Sequence, residues 1–261
     1  MIRLLQIPAS LLGLLTVALA VLLAVAGLLL MRRRTSHSVL KESNDLADSV
    51  YSMIGVLYAV LLAFVVVVVW EQFRSAEEHT LMEASAIVDL IRDARAFPPE
   101  VRDKLQKSLV DYAADVANNE WPAMKKGVPV AQESEAFERI WSRYLEFSPQ
   151  TNEQIAFYTE SISRLNDLAT KRKLRILSSQ SELPPELWIL LIGGSFISVF
   201  FTYLLGTENH RVHVAVVALL SALLGFVLFL IFSLEHPYSG SLSVKPEAFH
   251  HILTMKLQGT P

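Results

Sequence analysis

The residues best placed to do chemistry at an apolar barrier lie along one stripe. Asp45, Asp48, Ser52, Gly55, Ala59 and Ala63 follow each other at three or four residues, so on a helix they share a face that grades from carboxylate through small polar to small apolar. Two chemistries fit. The stripe could line a permeation path with carboxylates at its mouth, or form a packing seam where backbones approach because no side chain stands between them. The same segment also carries apolar rows. Tyr58, Leu62, Val66 and Trp70 recur every fourth residue, as do Leu57, Leu61, Val65 and Val69. Either row, repeated around a symmetric oligomer, would make a constriction that closes by dewetting. Lipid or helix contact suits the same rows equally.

Other chemistry is hard to assemble. His210 and His213 flank a tight turn, His250 and His251 sit in the tail, and His236 follows Glu235 at a membrane edge. None has the i, i+4 spacing with a carboxylate that a zinc site of the H-E-x-x-H kind needs. They are expected at interfaces or in solvent, with Glu235 and His236 as titratable groups near a pore exit. Cysteine is absent, which excludes disulfides, thiolate metal sites and thiol catalysis. There is no G-x-S-x-G, P-loop, G-x-G-x-x-G or kinase set. No ionisable residue sits mid-span, which argues against proton relays and most ion-coupled transport. The expectation is a protein with no catalytic residues, no metal and no cofactor. A net charge of −3 gives no reason to invoke nucleic acid.

The elements that position these residues are membrane spans. The 261 residues are 52% hydrophobic and only 19% charged, with mean hydropathy +0.38, and the charge deficit falls in four blocks. These run from Leu4 to Met31, Met53 to Trp70, Leu187 to Leu205 and Val212 to Leu234. At ~1.5 Å per residue they are roughly 27 to 42 Å long as helices, enough for a hydrocarbon core of about 30 Å. The first block resembles a secretory signal, with Arg3 before it and Ala18-Leu19-Ala20 as a cleavage-like site. Its apolar run continues to Met31 and meets Arg32-Arg33-Arg34, a stop-transfer flank. A retained span is expected, and cleavage would leave three.

The plan is two spans (residues 1–70), a charged insert (71–186), then two spans and a tail (187–261). From Val56 to Phe97, 42 residues contain neither glycine nor proline, so one helix should leave the membrane and continue into water. The insert carries 15 Lys/Arg and 20 Asp/Glu over 116 residues, the density of a solvated domain. Its periodicity is helical. Leu81, Ala84, Val88 and Ile91 form one stripe, and Val101, Leu105, Val110 or Tyr112 and Val116 another, ending near Asn118-Asn119. Trp121-Pro122 and Gly127-Val128-Pro129 read as an irregular connection. Helices are expected over Glu133 to Phe147 and from Pro149 to Leu183, the latter antiparallel to the first, and a short one over Pro246 to Leu257. The fold class is all-α, four spans with a helical bundle between spans two and three.

Orientation is nearly balanced. Arg32, Arg33, Arg34, Lys41 and Arg211 favour one side as cytoplasmic, while Arg3, Arg74, Lys245, Lys256 and the cluster Lys171, Arg172, Lys173, Arg175 favour the other.

Asn44-Asp45, the run Gly55 to Phe64, Trp70-Glu71-Gln72-Phe73, Glu83-Ala84 with Arg92 or Arg95 beyond, Leu187-Trp188 and His236-Pro237-Tyr238-Ser239-Gly240 together resemble the bestrophin-like domain-of-unknown-function family of bacterial membrane proteins. The resemblance covers nearly all of the chain after about Ser43. To bestrophins themselves the likeness is one of layout: four spans, a long second helix, and a helical domain between spans two and three. It implies a homo-oligomer in the lipid bilayer, pentameric as bestrophins are, conducting anions through a pore lined by span two, in the bacterial inner membrane with the helical domain cytosolic. The alternative is a non-conducting sensor or scaffold whose helical domain binds a partner and signals through the continuous helix.

Overall fold

The computed structural model describes residues 8–34, 44–131, 133–205, 207, 209–240 and 242–257, excepting the side chains of 9, 44–49 and 256–257. Among the described residues every regular element is helical. In chain order they are α1 (Ala9–Arg34), α2 (Asn44–Asp93), a 3₁₀ turn (Ala94–Ala96), α3 (Pro99–Asp115), a π turn (Val116–Glu120), α4 (Trp121–Lys125), α5 (Glu135–Leu145), α6 (Asn152–Gln180), α7 (Pro185–Tyr203), α8 (His210–Leu234) and α9 (Glu247–Leu257).

Helix ends fall where local chemistry puts them. Ser134 and Thr151 accept from the backbone N–H groups of Phe137 and Gln154, and Asn209 from those of Arg211 and Val212. α3 and α7 begin with proline in the first turn, where its missing N–H costs nothing. Trp121-Pro122 does not break the chain as the sequence suggests. The π turn carries α3 into α4 and delivers Pro122 to an early position of α4, where its ring is tolerated.

Four helices are long and apolar enough to cross a membrane: Ser10–Arg34, Val50–Ala96, Pro185–Tyr203 and His210–Leu234. α2, at 50 residues, far exceeds the roughly 20 that a bilayer needs.

The chain forms two compact units. The first takes the chain up to Glu71 and Glu182–Glu235; the second takes Gln72–Ser181 and the chain from His236 onward. In the first unit α1 and α8 pack antiparallel. Gly225 sits where a Cβ would be 3.0 Å from the Ala20 Cβ, and Tyr203 donates to the Ala24 carbonyl at 2.7 Å. Small residues let backbones approach in a setting where burial of apolar surface gives no drive.

The second unit has an ordinary hydrophobic core. Ile87, Leu90, Leu105, Leu109, Tyr112, Ile140, Tyr144, Leu165 and Leu168 are fully buried. The stripe α2 contributes is Ala76, Thr80, Glu83, Ala84, Ile87 and Leu90, continued by Ala94 of the 3₁₀ turn, whereas Leu81 points outward at 56% exposure. α6 runs antiparallel to this part of α2, as the pairs Asp93 with Arg164, Glu83 with Arg175 and His79 with Ser178 require.

The tail, grouped with spans three and four on sequence, packs in the second unit. Tyr238 donates to the Ala76 carbonyl at 3.1 Å, Ser239 donates to the Met124 carbonyl at 3.2 Å, and Trp121 lies edge-on to Tyr238 and beside Phe249. Aromatic side chains at 238 and 249 carry enough apolar area to join that core.

Candidate pore-forming helix

The membrane half of α2 touches its own chain along a narrow line. Tyr58, Val65 and Val69 are buried. The Tyr58 hydroxyl donates to the Leu191 carbonyl at 2.5 Å and lies 2.6 Å from the Ser195 hydroxyl, which can donate in return. Gly194 makes room for the ring, since a Cβ there would stand 2.3 Å from Tyr58 Cε2. One aromatic side chain thus ties α2 to α7 through a polar tip and a glycine notch.

Much of the rest of the perimeter is exposed. Met53, Val56, Leu57, Val60, Phe64, Val67, Val68 and Trp70 are exposed. The small-residue stripe lies there too: Ser52, Ala59 and Ala63 are exposed, Gly55 is half-buried, and a Cβ on Gly55 would meet nothing within 4 Å. At Gly55, therefore, no other described residue packs closely against the helix. The side chains of Asp45 and Asp48 lie outside the described residues. Of the apolar row, Tyr58 is buried against α7, Leu62 and Val66 are half-buried, and Trp70 is exposed. The second row is mixed as well, with Val65 and Val69 buried, Leu61 half-buried and Leu57 exposed.

The titratable groups at the membrane edges have structural partners. Glu235 is buried and accepts from the Leu183 N–H at 2.6 Å and from the Trp188 indole N–H at 3.2 Å. A carboxylate beside the α7 N-terminus takes the N–H of the residue before the cap and the indole N–H of the first turn, and it meets the positive end of the helix dipole. His213, expected at an interface or in solvent, is buried and bonded on both ring nitrogens. His250 and His251 are exposed, as expected. Among the described residues no three His, Cys, Asp or Glu come together as metal ligands.

The second unit holds a charge cluster that sequence reading misplaced. Arg172 and Arg175 were counted among basic side chains flanking the third span; both are buried. Arg175 donates through Nε and Nη2 to both oxygens of Glu83, at 2.6 and 3.1 Å, and through Nη2 to Glu120 at 2.6 Å. Arg172 grips Glu120 at 2.6 and 2.8 Å and reaches the Ala131 carbonyl, and Tyr112 donates to Glu83 at 2.6 Å. Two guanidinium and two carboxylate groups cancel in charge, and the forked geometry satisfies most of their hydrogen-bonding capacity.

Burial, and next the Glu83 carboxylate, hold the Tyr112 phenol well above its usual range. Burial works against the Arg175 charge, but Glu83 leads a set of neighbours that outweigh it and keep the guanidinium protonated. The sequence signal was phase. Thr80, Glu83 and Ile87 share one helical face, as do Leu165, Leu168, Arg172 and Arg175, so the charged members fall where apolar ones should.

Comparison with known proteins now decides the family. The model of the bestrophin-like domain matches residues 18–249, from within α1 into α9 and through both units. The chain belongs to the bestrophin-like family. Two solved structures of variants of a bacterial bestrophin homologue from Klebsiella pneumoniae share its fold, with TM-scores of 0.64 and 0.61. Each is 15% identical to this chain; the first covers 93% of it and the second 94%, with 99% of the solved chain aligned in both cases. No curated protein matches the sequence. A bestrophin-like chain is a membrane protein of a channel family rather than of an enzyme family.

Proposed function

We propose that this bestrophin-like chain is one subunit of an oligomeric ion channel whose pore is lined by α2. The observation that carries the reading is the exposed face of α2: the span meets its own chain through Tyr58, Val65 and Val69, and on the opposite side Val56, Val60 and Val67 are exposed to water, lipid or another copy. Around a helix of 3.6 residues per turn, Val56, Val60 and Val67 lie about 160° to 200° from Tyr58. With the subunit's other spans outside, these valines face the axis, and a valine ring gates by dewetting. The small flank, Ser52, Gly55, Ala59 and Ala63, then receives the bulky flank, Leu57, Phe64 and Val68, of the next copy, which is a head-to-tail contact that closes into a ring. Tyr58 of the sequence-derived gate row is occupied with α7, so the axis-facing row is displaced from it.

An apolar ring does not choose the sign of an ion. The likeness to bestrophins supports reading the ion as an anion, the ring as five subunits, the membrane as the bacterial inner membrane and the second unit as cytosolic. Purified protein reconstituted in planar bilayers tests the reading: it should carry anion-selective current and elute as a uniform oligomer in mild detergent. A monodisperse monomer, or no current across a wide pH and calcium range, would instead leave a sensor or scaffold. Glu133 is exposed on the second unit, and a cysteine there should resist a membrane-impermeant thiol reagent on intact cells.

A further inference from the structure

At one end of the first unit a single arginine is held by two histidine rings. Arg32, in the last turn of α1, places Nη2 2.8 Å from Nδ1 of His213 and 3.0 Å from the Thr207 carbonyl, and Nη1 3.1 Å from Nδ1 of His210. The other ring nitrogen of His213, Nε2, stands 2.8 Å from the Thr202 carbonyl. A guanidinium has donors only and a carbonyl has lone pairs only. His213 must therefore offer its Nδ1 lone pair to Arg32 and carry its proton on Nε2, donated to Thr202. It is a neutral ring in a fixed tautomer. His210 must likewise present an Nδ1 lone pair.

We propose that this contact is a proton-released latch, holding the end of α1 to α8 and to the connection before it when His213 is neutral, and letting go when His213 is protonated. A proton from water would bind the Nδ1 lone pair of His213, the atom that accepts from Arg32. The acceptor would become a donor facing a donor, and two cations would stand within about 3 Å. Histidine is the side chain whose charge changes in this part of the pH scale.

The charged and titratable groups facing His213 are Arg32 from α1 and His210 from α8, while α7 presents the Thr202 carbonyl and the connection the Thr207 carbonyl. Arg33, Arg34 and Arg211 are exposed at the same end, and Glu208 lies outside the described residues. Every described charge near the pair is positive, so nothing described there would stabilise the protonated ring. Linkage gives the sign: the latch contributes stability while the His213 ring is neutral and loses it as pH falls. The inference stands whether or not the protein conducts.

Amide exchange of the last turn of α1, followed by mass spectrometry on the full-length protein in nanodiscs, tests it. After correction for the intrinsic rate, exchange in wild type should rise about tenfold from about pH 7.5 to about pH 5. His213→Gln keeps an acceptor for Arg32 and a donor for Thr202 but cannot titrate, so with His210→Gln it should hold the turn closed over that range. Arg32→Ala should leave it open throughout. A flat wild-type profile, or the same rise in the glutamine double variant, would overturn the proposal. Should the glutamines fail to hold the turn, ¹⁵N spectra of wild type decide. The neutral Nε2–H signal of His213 must fade in step with the rise in exchange, and a doubly protonated ring at pH 7.5, or fading out of step, contradicts the latch.

Discussion

The two halves of α2 belong to one helix and live by different rules. Before Glu71, Leu57 is 62% and Phe64 68% exposed, and Tyr58 supplies a polar tie to α7. Beyond it, Ile87 and Leu90 are fully buried and Glu83 is locked into a closed ionic cluster. The second unit thus satisfies itself in water, where burial of apolar surface drives packing. The membrane half need not, because lipid is as apolar as leucine, so Val56, Val60 and Phe64 can stay exposed within the subunit. The difference teaches where each kind of substitution should register: in stability for one half, in assembly and conductance for the other.

The largest expected effect strikes the self-sufficient half. Removing one partner of a buried pair leaves the other charge uncompensated, at about 3–5 kcal/mol. Glu83→Ala and Arg175→Ala should each lower the thermal midpoint sharply, and Arg175→Lys should not restore it, because an ammonium cannot reproduce the fork to Glu83 and Glu120. A midpoint unchanged by all three would remove the contrast between the halves.

How far sequence reading went follows the same division. The four spans, the unbroken α2, the antiparallel return of α6 and the tail helix were legible because hydropathy and helical period report burial directly. Arg172 and Arg175 were misread because a run of basic residues near a span suggests a flank, and only their phase with Leu165 and Leu168 reveals burial. Leu81 was assigned inward and lies outward because apolar residues on a long helix are not all in its core stripe. Docking of Tyr238 and Phe249 depends on long-range packing that no local pattern records. For the candidate pore helix, sequence supplied the rows but not the side on which α7 sits, and that side is set by Gly194 admitting Tyr58.

Two glycines sharpen the comparison next. Gly194→Ala pushes a methyl group into the Tyr58 ring and should cost about 1–3 kcal/mol as overpacking, read as a lower thermal midpoint. Gly55→Ala meets nothing in its own chain. It should leave the subunit's stability level or raised by up to about 1 kcal/mol through helix propensity, while Gly55→Leu should shift the oligomer toward monomer in light scattering. Equal effects of the two alanine variants on stability would contradict the assigned packing side. Tyr58→Phe, which loses the bonds to Leu191 and Ser195, should cost about 0.5–1.5 kcal/mol in the same assay. The smallest effect belongs to the surface of the second unit. Lys104→Gln breaks a pair with Glu100 that water already screens, and the thermal midpoint should stay level with wild type.

The central claim, that the side of α2 opposite Tyr58 lines a water path, has a direct test in a chain free of cysteine. Single cysteines at Val56, Val60, Val67, Tyr58, Val65 and Val69, exposed to a charged thiol reagent during current recording in planar bilayers, should give block or altered conductance at the first three positions and none at the last three. Modification at Tyr58, Val65 and Val69 with Val56, Val60 and Val67 silent would contradict the account.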